Sequence, residues 1–174
     1  MTNGNGKPEG AQIIVMGVSG AGKSTIGTLI AGAIGVPFVD GDALHPLSNI
    51  EKMAGGTPLN DEDRWPWLAT VGTTLSDAGE GTGMVIACSA LRRAYREAIL
   101  HHAPATRFVH LSGSKEVLAS RLEGRSDHFM PRRLLDSQFV ALDPLAEDEP
   151  GIVVDIDQPV PAIVAEAVEA IHLG

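Results

Sequence analysis

The chain has a single cysteine, Cys88, in 174 residues. That excludes an internal disulfide framework and points to a reducing, cytoplasmic setting. Cys88 ends the apolar run Met84-Val85-Ile86-Ala87-Cys88 and reads as a buried, inert thiol. Long apolar runs are missing too, and none approaches the ~20 residues of a membrane span. Residues 1–11 are polar and glycine-rich, without the apolar centre of a signal peptide, so they read as a disordered tail. Positive charge is scarce. Thirteen Lys and Arg stand against 22 Asp and Glu, and the net charge of −9 argues against duplex nucleic acid and anionic membranes as partners. The six histidines show no zinc-like spacing, and His101 and His102 read as helix-end residues. The remaining length, 12–174, suits one domain with a five-stranded sheet covered on both faces.

What basic residues there are fall in clusters: Arg92, Arg93 and Arg96, then Arg107, Lys115, Arg121, Arg125, Arg132 and Arg133. Two readings apply. The clusters aim at a small anion, or they pair with Glu97, Glu116 and Glu123 on helix surfaces.

Gly17-Val18-Ser19-Gly20-Ala21-Gly22-Lys23-Ser24 fits the phosphate-binding pattern G-x-x-x-x-G-K-S/T. Its context is right: Gln12 to Met16 reads as a buried strand and Ser24 to Ile34 as a helix. Glycines let backbone N–H groups wrap a polyphosphate, and the helix N-terminus adds positive potential. Lys23 reaches the β- and γ-phosphates and Ser24 ligates Mg2+. The nucleotide site is therefore Gly17, Val18, Ser19, Gly20, Ala21, Gly22, Lys23, Ser24 and Thr25.

Apolar runs then alternate with helical patterns. Val36 to Val39 is a strand ending at Asp40, and helices follow over Leu47–Ala54 and from about Asp61. Met84–Cys88 is a strand, Arg92–His102 a helix and Thr106–Leu111 a strand. Lys115–Leu122 is a helix with Ser114 as N-cap, and Pro131–Leu142 another. Ile152–Asp155 is the fifth strand and Val160–Ile171 the closing helix. Such alternation predicts a three-layer α/β/α fold with a parallel sheet and ligands at the C-terminal edge of the strands.

Residues just after the strands are thus the site candidates. The third strand ends in Cys88-Ser89-Ala90, without a carboxylate, so Asp40 and Asp42 become the candidates. One would hold Mg2+ through water and the other would take a proton from an attacking hydroxyl; the alternative is a tight turn in which an aspartate caps the next helix. In the segment from Thr57 to Leu68, Asn60 or Asp61 caps a helix carrying Glu62 and Asp63. Arg64 there is a ligand for an anion or a surface ion pair, and Trp65 and Trp67 read as packing. Residues 123–133 break periodicity, are basic, and read as a mobile lid.

Together GVSGAGKS (17–24), DGDALHP (40–46), NIEKMAGGTPLNDEDRWPWL (49–68), CSALRRAYR (88–96), RLEGRSDHF (121–129) and VVDIDQP (153–159) resemble gluconate kinase, in the shikimate-kinase-like branch of the P-loop kinases. The resemblance covers Ile13 to Ile171. It implies transfer of the ATP γ-phosphoryl group to the 6-hydroxyl of D-gluconate in carbohydrate metabolism, strand order 2-3-1-4-5, Mg2+, and a homodimer. A carboxylated polyol needs an arginine, hydroxyl partners and a base. Arg64, Arg92 and Arg96 are the carboxylate candidates, and Asp42 and His45 the hydroxyl partners. Asp42 is the expected base, and Ser24 and Asp40 the metal residues. By similarity to shikimate kinases, Arg121 lies over the adenine and Arg125 belongs to the lid as a catalytic group, with His128 of the same segment a substrate candidate. Arg92 stands where relatives often have lysine, and Leu47 and Ser48 stand at positions that are often basic. Against other classes, no acidic, aromatic strand end of the nucleoside-monophosphate kinases follows Cys88, and no N-K-x-D guanine-reading motif is present.

Overall fold

The computed structural model describes residues 10–18, 20–123 and 132–173, without the side chains of 121–123, 132–134 and 173. Five parallel strands, β1 (Ala11–Met16), β2 (Phe38–Asp40), β3 (Gly83–Ala87), β4 (Arg107–Ser112) and β5 (Gly151–Asp155), form one sheet in the order β2-β3-β1-β4-β5. The helices are α1 (Lys23–Ile34), α2 (Leu47–Ala54), α3 (Asp61–Gly79), α4 (Arg93–His102), α5 (Lys115–Glu123), α6 (Arg132–Ala141) and α7 (Val160–Leu173).

Strand alternation splits the core in two. Ile13 and Val15 of β1, Val85 of β3, Val109 and Leu111 of β4 and Val154 of β5 face one side, where Ile26 and Ile30 of α1 and Ile163 and Ala167 of α7 cover them. Ile14, Met16, Ile86 and Phe108 face the other, beneath Leu68, Val71 and Leu75 of α3 and Tyr95 and Ile99 of α4. Continuous apolar strands are what a sheet buried on both faces requires. The three-layer α/β/α fold and the 2-3-1-4-5 order are both as expected.

Element bounds agree with the expectation to within a residue or two. Ser114 caps α5, accepting from the Val117 N–H at 3.2 Å. Of the two cap candidates before α3, Asn60 is the cap: its Oδ1 accepts from the Asp63 N–H at 2.9 Å while Asp63 Oδ2 accepts from the Asn60 N–H at 3.0 Å. One element was unforeseen, a 3-10 turn over Gly41–Leu44. Its capping residue, Asp40, accepts from the Asp42 N–H at 3.0 Å. Gly41 is packed so tightly that an added Cβ would lie 2.6 Å from the Ala87 carbonyl oxygen. The absent side chain seats the turn on the end of β3. No described helix is long and apolar enough to cross a membrane.

Candidate active site

β1 delivers the chain into the phosphate loop at the C-terminal edge of the sheet. Gly17 N–H donates to Ser89 O at 3.3 Å, which anchors the loop on the residue after β3. Gly20 and Gly22 hold φ of 86° and 90°, a left-handed geometry that glycine alone adopts without strain. Gly22 is the N-cap of α1 and supplies no side-chain oxygen to the first turn. The N–H groups of that turn are therefore left for an anion. Lys23 Nζ bends back over the loop, donating to Gly17 O at 2.9 Å and Val18 O at 3.3 Å. Thr25 is exposed beside Ser24. Ser19 lies outside the described residues.

The acidic turn meets this loop. Ser24 Oγ donates to Asp40 Oδ2 at 3.3 Å, so the two expected metal residues are neighbours. Asp40 caps the 3-10 turn, as the turn reading expected, and its other carboxylate oxygen faces Ser24. The pair is a set of hard oxygens, the donor type Mg2+ takes when most of its shell comes from water and phosphates. Beneath lies Cys88, whose thiol burial pushes up to about 12. The charges of Lys23, Asp42 and Asp40 all bear on its titration. The inert reading of Cys88 holds.

Asp42 is exposed on the turn and His45 follows three residues later. The His45 ring stacks on Trp67, with centroids 4.1 Å apart and planes 18° from parallel. Trp67 Nε1 also donates to Gly41 O at 2.8 Å. Burial lowers the His45 pKa; Asp42 opposes that shift and Arg64 adds to it, so both charges lie close to the ring.

Arg64 Nη1 donates to Asp61 Oδ1 at 3.2 Å, and its guanidinium sits 5.6 Å from the Tyr95 ring centroid. Tyr95 Oη donates to Asp61 Oδ1 at 2.6 Å, and this bond with the Arg64 charge holds Asp61 below the usual carboxylate range. The ion-pair reading of Arg64 holds, and its charge also bears on the titration of His45. Arg92 is exposed and close enough to Asp61 and Tyr95 to bear on their titration.

Arg96 is a correction. It is fully buried, and all five guanidinium protons are engaged. Nε and Nη2 pair with Glu149 at 2.6 and 2.9 Å, Nη1 donates to Ala90 O and Leu91 O, and Nη2 also to Asp143 O. No donor remains for a substrate carboxylate. Its partner carbonyl at Ala90 belongs to the only described non-glycine residue with positive φ, 44°. Of the four other clustered cations whose side chains are described, three also have structural partners. Arg93 pairs with Asp148 and Glu97, Arg107 donates to Ala170 O and Ile171 O at the end of α7, and Lys115 pairs with Asp136. The small-anion reading survives for Arg64 and Arg92. Arg125 and His128, with the rest of 124–131 of the expected lid, lie outside the described residues, as does the side chain of Arg121.

Three residues of the site were not foreseen: Asn49, buried against His45; Tyr95, which braces Asp61 and Arg64; and Glu149, the counter-ion of Arg96. Their contacts span 4 to 53 residues, and only the i,i+4 spacing of His45 and Asn49 on the chain hinted at one.

This geometry has close relatives. Residues 19–172 match the family described as Shikimate kinase. A thermoresistant gluconokinase of Escherichia coli K12 is 44% identical over 167 residues, spanning 92% of this chain and 93% of that protein. A probable gluconokinase of Xenopus tropicalis is 45% identical over 170 residues, spanning 88% and 90%. The crystal structure of a gluconokinase from Sinorhizobium meliloti 1021 superposes with a TM-score of 0.82 at 47% identity, covering 95% of this chain and 93% of that one. A phosphate loop, an acidic turn beside it and this degree of likeness converge: the chain belongs to the shikimate kinase family, and within it to the gluconokinases.

Proposed function

We infer that this protein phosphorylates D-gluconate on its 6-hydroxyl with ATP. The observation that carries the reading is the contact of Ser24 with Asp40, which brings the Asp42–His45 turn against the phosphate loop. A phosphoryl acceptor held on that turn would lie beside the polyphosphate held by the loop.

The chemistry follows from the side chains. The uncapped first turn of α1 and the loop N–H groups bind the polyphosphate, and Lys23 neutralises charge that grows on the β/γ-bridging oxygen. Ser24 and Asp40 would hold Mg2+, which supplies further charge neutralisation on the phosphates when bound. Asp42 accepts the proton of the 6-hydroxyl as that oxygen bonds to the γ-phosphorus and the bond to the ADP oxygen breaks. Arg64 and Arg92 attract the gluconate carboxylate, with Arg64 backed by the Tyr95 ring. A homodimer and a cytoplasmic location complete the proposal, supported by the gluconate-kinase resemblance and by the single buried cysteine; sedimentation velocity checks the first.

The test is an ADP-release assay against a panel of sugar acids and shikimate. ADP is expected only with gluconate. Equal release with shikimate or without any acceptor would overturn the assignment.

A further inference from the structure

We propose that Asn49 is a positioning residue for the phosphoryl acceptor. It locks His45 in the tautomer that carries its proton on Nε2, so that His45 donates a hydrogen bond to an oxygen of the sugar acid and cannot serve as the base. This rests on the reading of His45 as a sugar-acid contact.

Asn49 is only 2% exposed, although it sits on α2, a helix whose other side is open to solvent. A buried primary amide must satisfy its protons. One goes to the Asp63 main-chain carbonyl, with Nδ2 2.8 Å from the oxygen. A carbonyl only accepts, so this contact fixes which end of the amide is nitrogen, independently of the histidine. The same Nδ2 lies 3.1 Å from His45 Nδ1. An amide nitrogen has no lone pair to offer, so Nδ1 must be the acceptor. A neutral imidazole has one proton, which is then on Nε2. Burial favours the neutral ring, in keeping with this arrangement.

Orientation is fixed from a second direction. Trp67 covers one face of the ring, and its own indole is tied to the Gly41 carbonyl. Trp67 sets the plane of the imidazole and Asn49 sets which nitrogen points outward. Among the described residues Nε2 meets no protein partner, and it is not among the buried unpaired atoms. The outward nitrogen is thus a donor, available to a hydroxyl or carboxylate oxygen. Asp42, on the same turn, is left as the group that can take a proton. The turn then carries one donor and one acceptor for a polyol.

Two measurements test this. In the wild-type enzyme labelled with 15N-histidine, long-range 15N–1H spectra should show His45 Nδ1 as the unprotonated nitrogen and Nε2 as the protonated one. The reverse assignment overturns the proposal without any variant. In kinetics, Asn49→Ala should raise the gluconate KM about tenfold, the loss of one well-placed hydrogen bond, with the ATP KM within about twofold. Asn49→Asp should be worse, because its carboxylate would draw the proton to Nδ1. In the His45→Ala background, Asn49→Ala should add nothing further to the gluconate KM. Additive losses, or an Asn49→Asp variant that matches the wild type, would overturn it. If His45→Ala leaves the gluconate KM unchanged, the His45 contact itself fails and this inference with it. If His45→Ala raises KM and Asn49→Ala does not, only the role of Asn49 fails.

Discussion

Arg96 and Glu149, 53 residues apart in sequence, form an ion pair 2.6 Å long from which solvent is excluded on both sides. Burial alone would raise the Glu149 pKa, but the Arg96 guanidinium and the Ala146 N–H outweigh it and lower it. Removing one partner strands the other charge, so Arg96→Met should cost about 3–5 kcal/mol of stability in urea unfolding. The gluconate KM of the folded fraction should stay within about twofold. A stable Arg96→Met enzyme with a greatly raised gluconate KM would restore Arg96 to the substrate site.

Lys23→Ala should lower turnover by at least a hundredfold while the fold is retained, since the proposed role of Lys23 is to act on charge that develops in the transition state. Steady-state turnover and circular dichroism check the two halves. Retention of more than about a tenth of wild-type turnover would contradict the role.

The two aspartates should separate kinetically. Asp42→Asn removes the proposed proton acceptor and should cost roughly 10²–10⁴ in turnover with little change in ATP affinity. Asp40→Asn should instead raise the Mg2+ concentration needed for half-maximal rate, and it also weakens the cap on the 3-10 turn. The opposite pattern would exchange their roles.

His110 makes an acid-stability prediction. It is buried in β4, near Arg96 and Glu149, and its Nδ1 has no partner among the described residues; desolvation, aided by Arg96, lowers its pKa from 6.5 to about 4. The unfolded chain therefore takes up this proton near pH 6.5 and the folded chain only near pH 4. Stability is unaffected by His110 above pH 6.5 and falls as pH drops through that window, by up to about 3 kcal/mol. Urea unfolding at pH 7 and pH 4.5 should show a smaller loss for His110→Gln than for the wild type. An equal loss would place the acid sensitivity elsewhere.

How much of this was legible depends on range. The phosphate loop was, because its geometry is set by consecutive residues with fixed roles. The alternation of strands and helices was, because apolar runs such as Ile13 to Met16 are local. Strand order was not, since β1 sits between β3 and β4 for reasons of packing across the sheet, and it came from the family resemblance. The 3-10 turn was missed because four residues carry no periodicity. Arg92 and Arg96 looked alike as cations. What distinguishes them is Glu149, brought under α4 by a segment whose path no spacing encodes. Asn49 was passed over because its role depends on a carbonyl 14 residues away.

The bend of Lys23 onto Gly17 O and Val18 O has a thermodynamic consequence. The loop already hosts a cation on its own carbonyls, so nucleotide binding is an exchange of acceptors and not the filling of a vacancy. The gain at Nζ is the difference between a charged phosphate oxygen and neutral amide oxygens, a margin that single weak anions supply poorly and a polyphosphate supplies well.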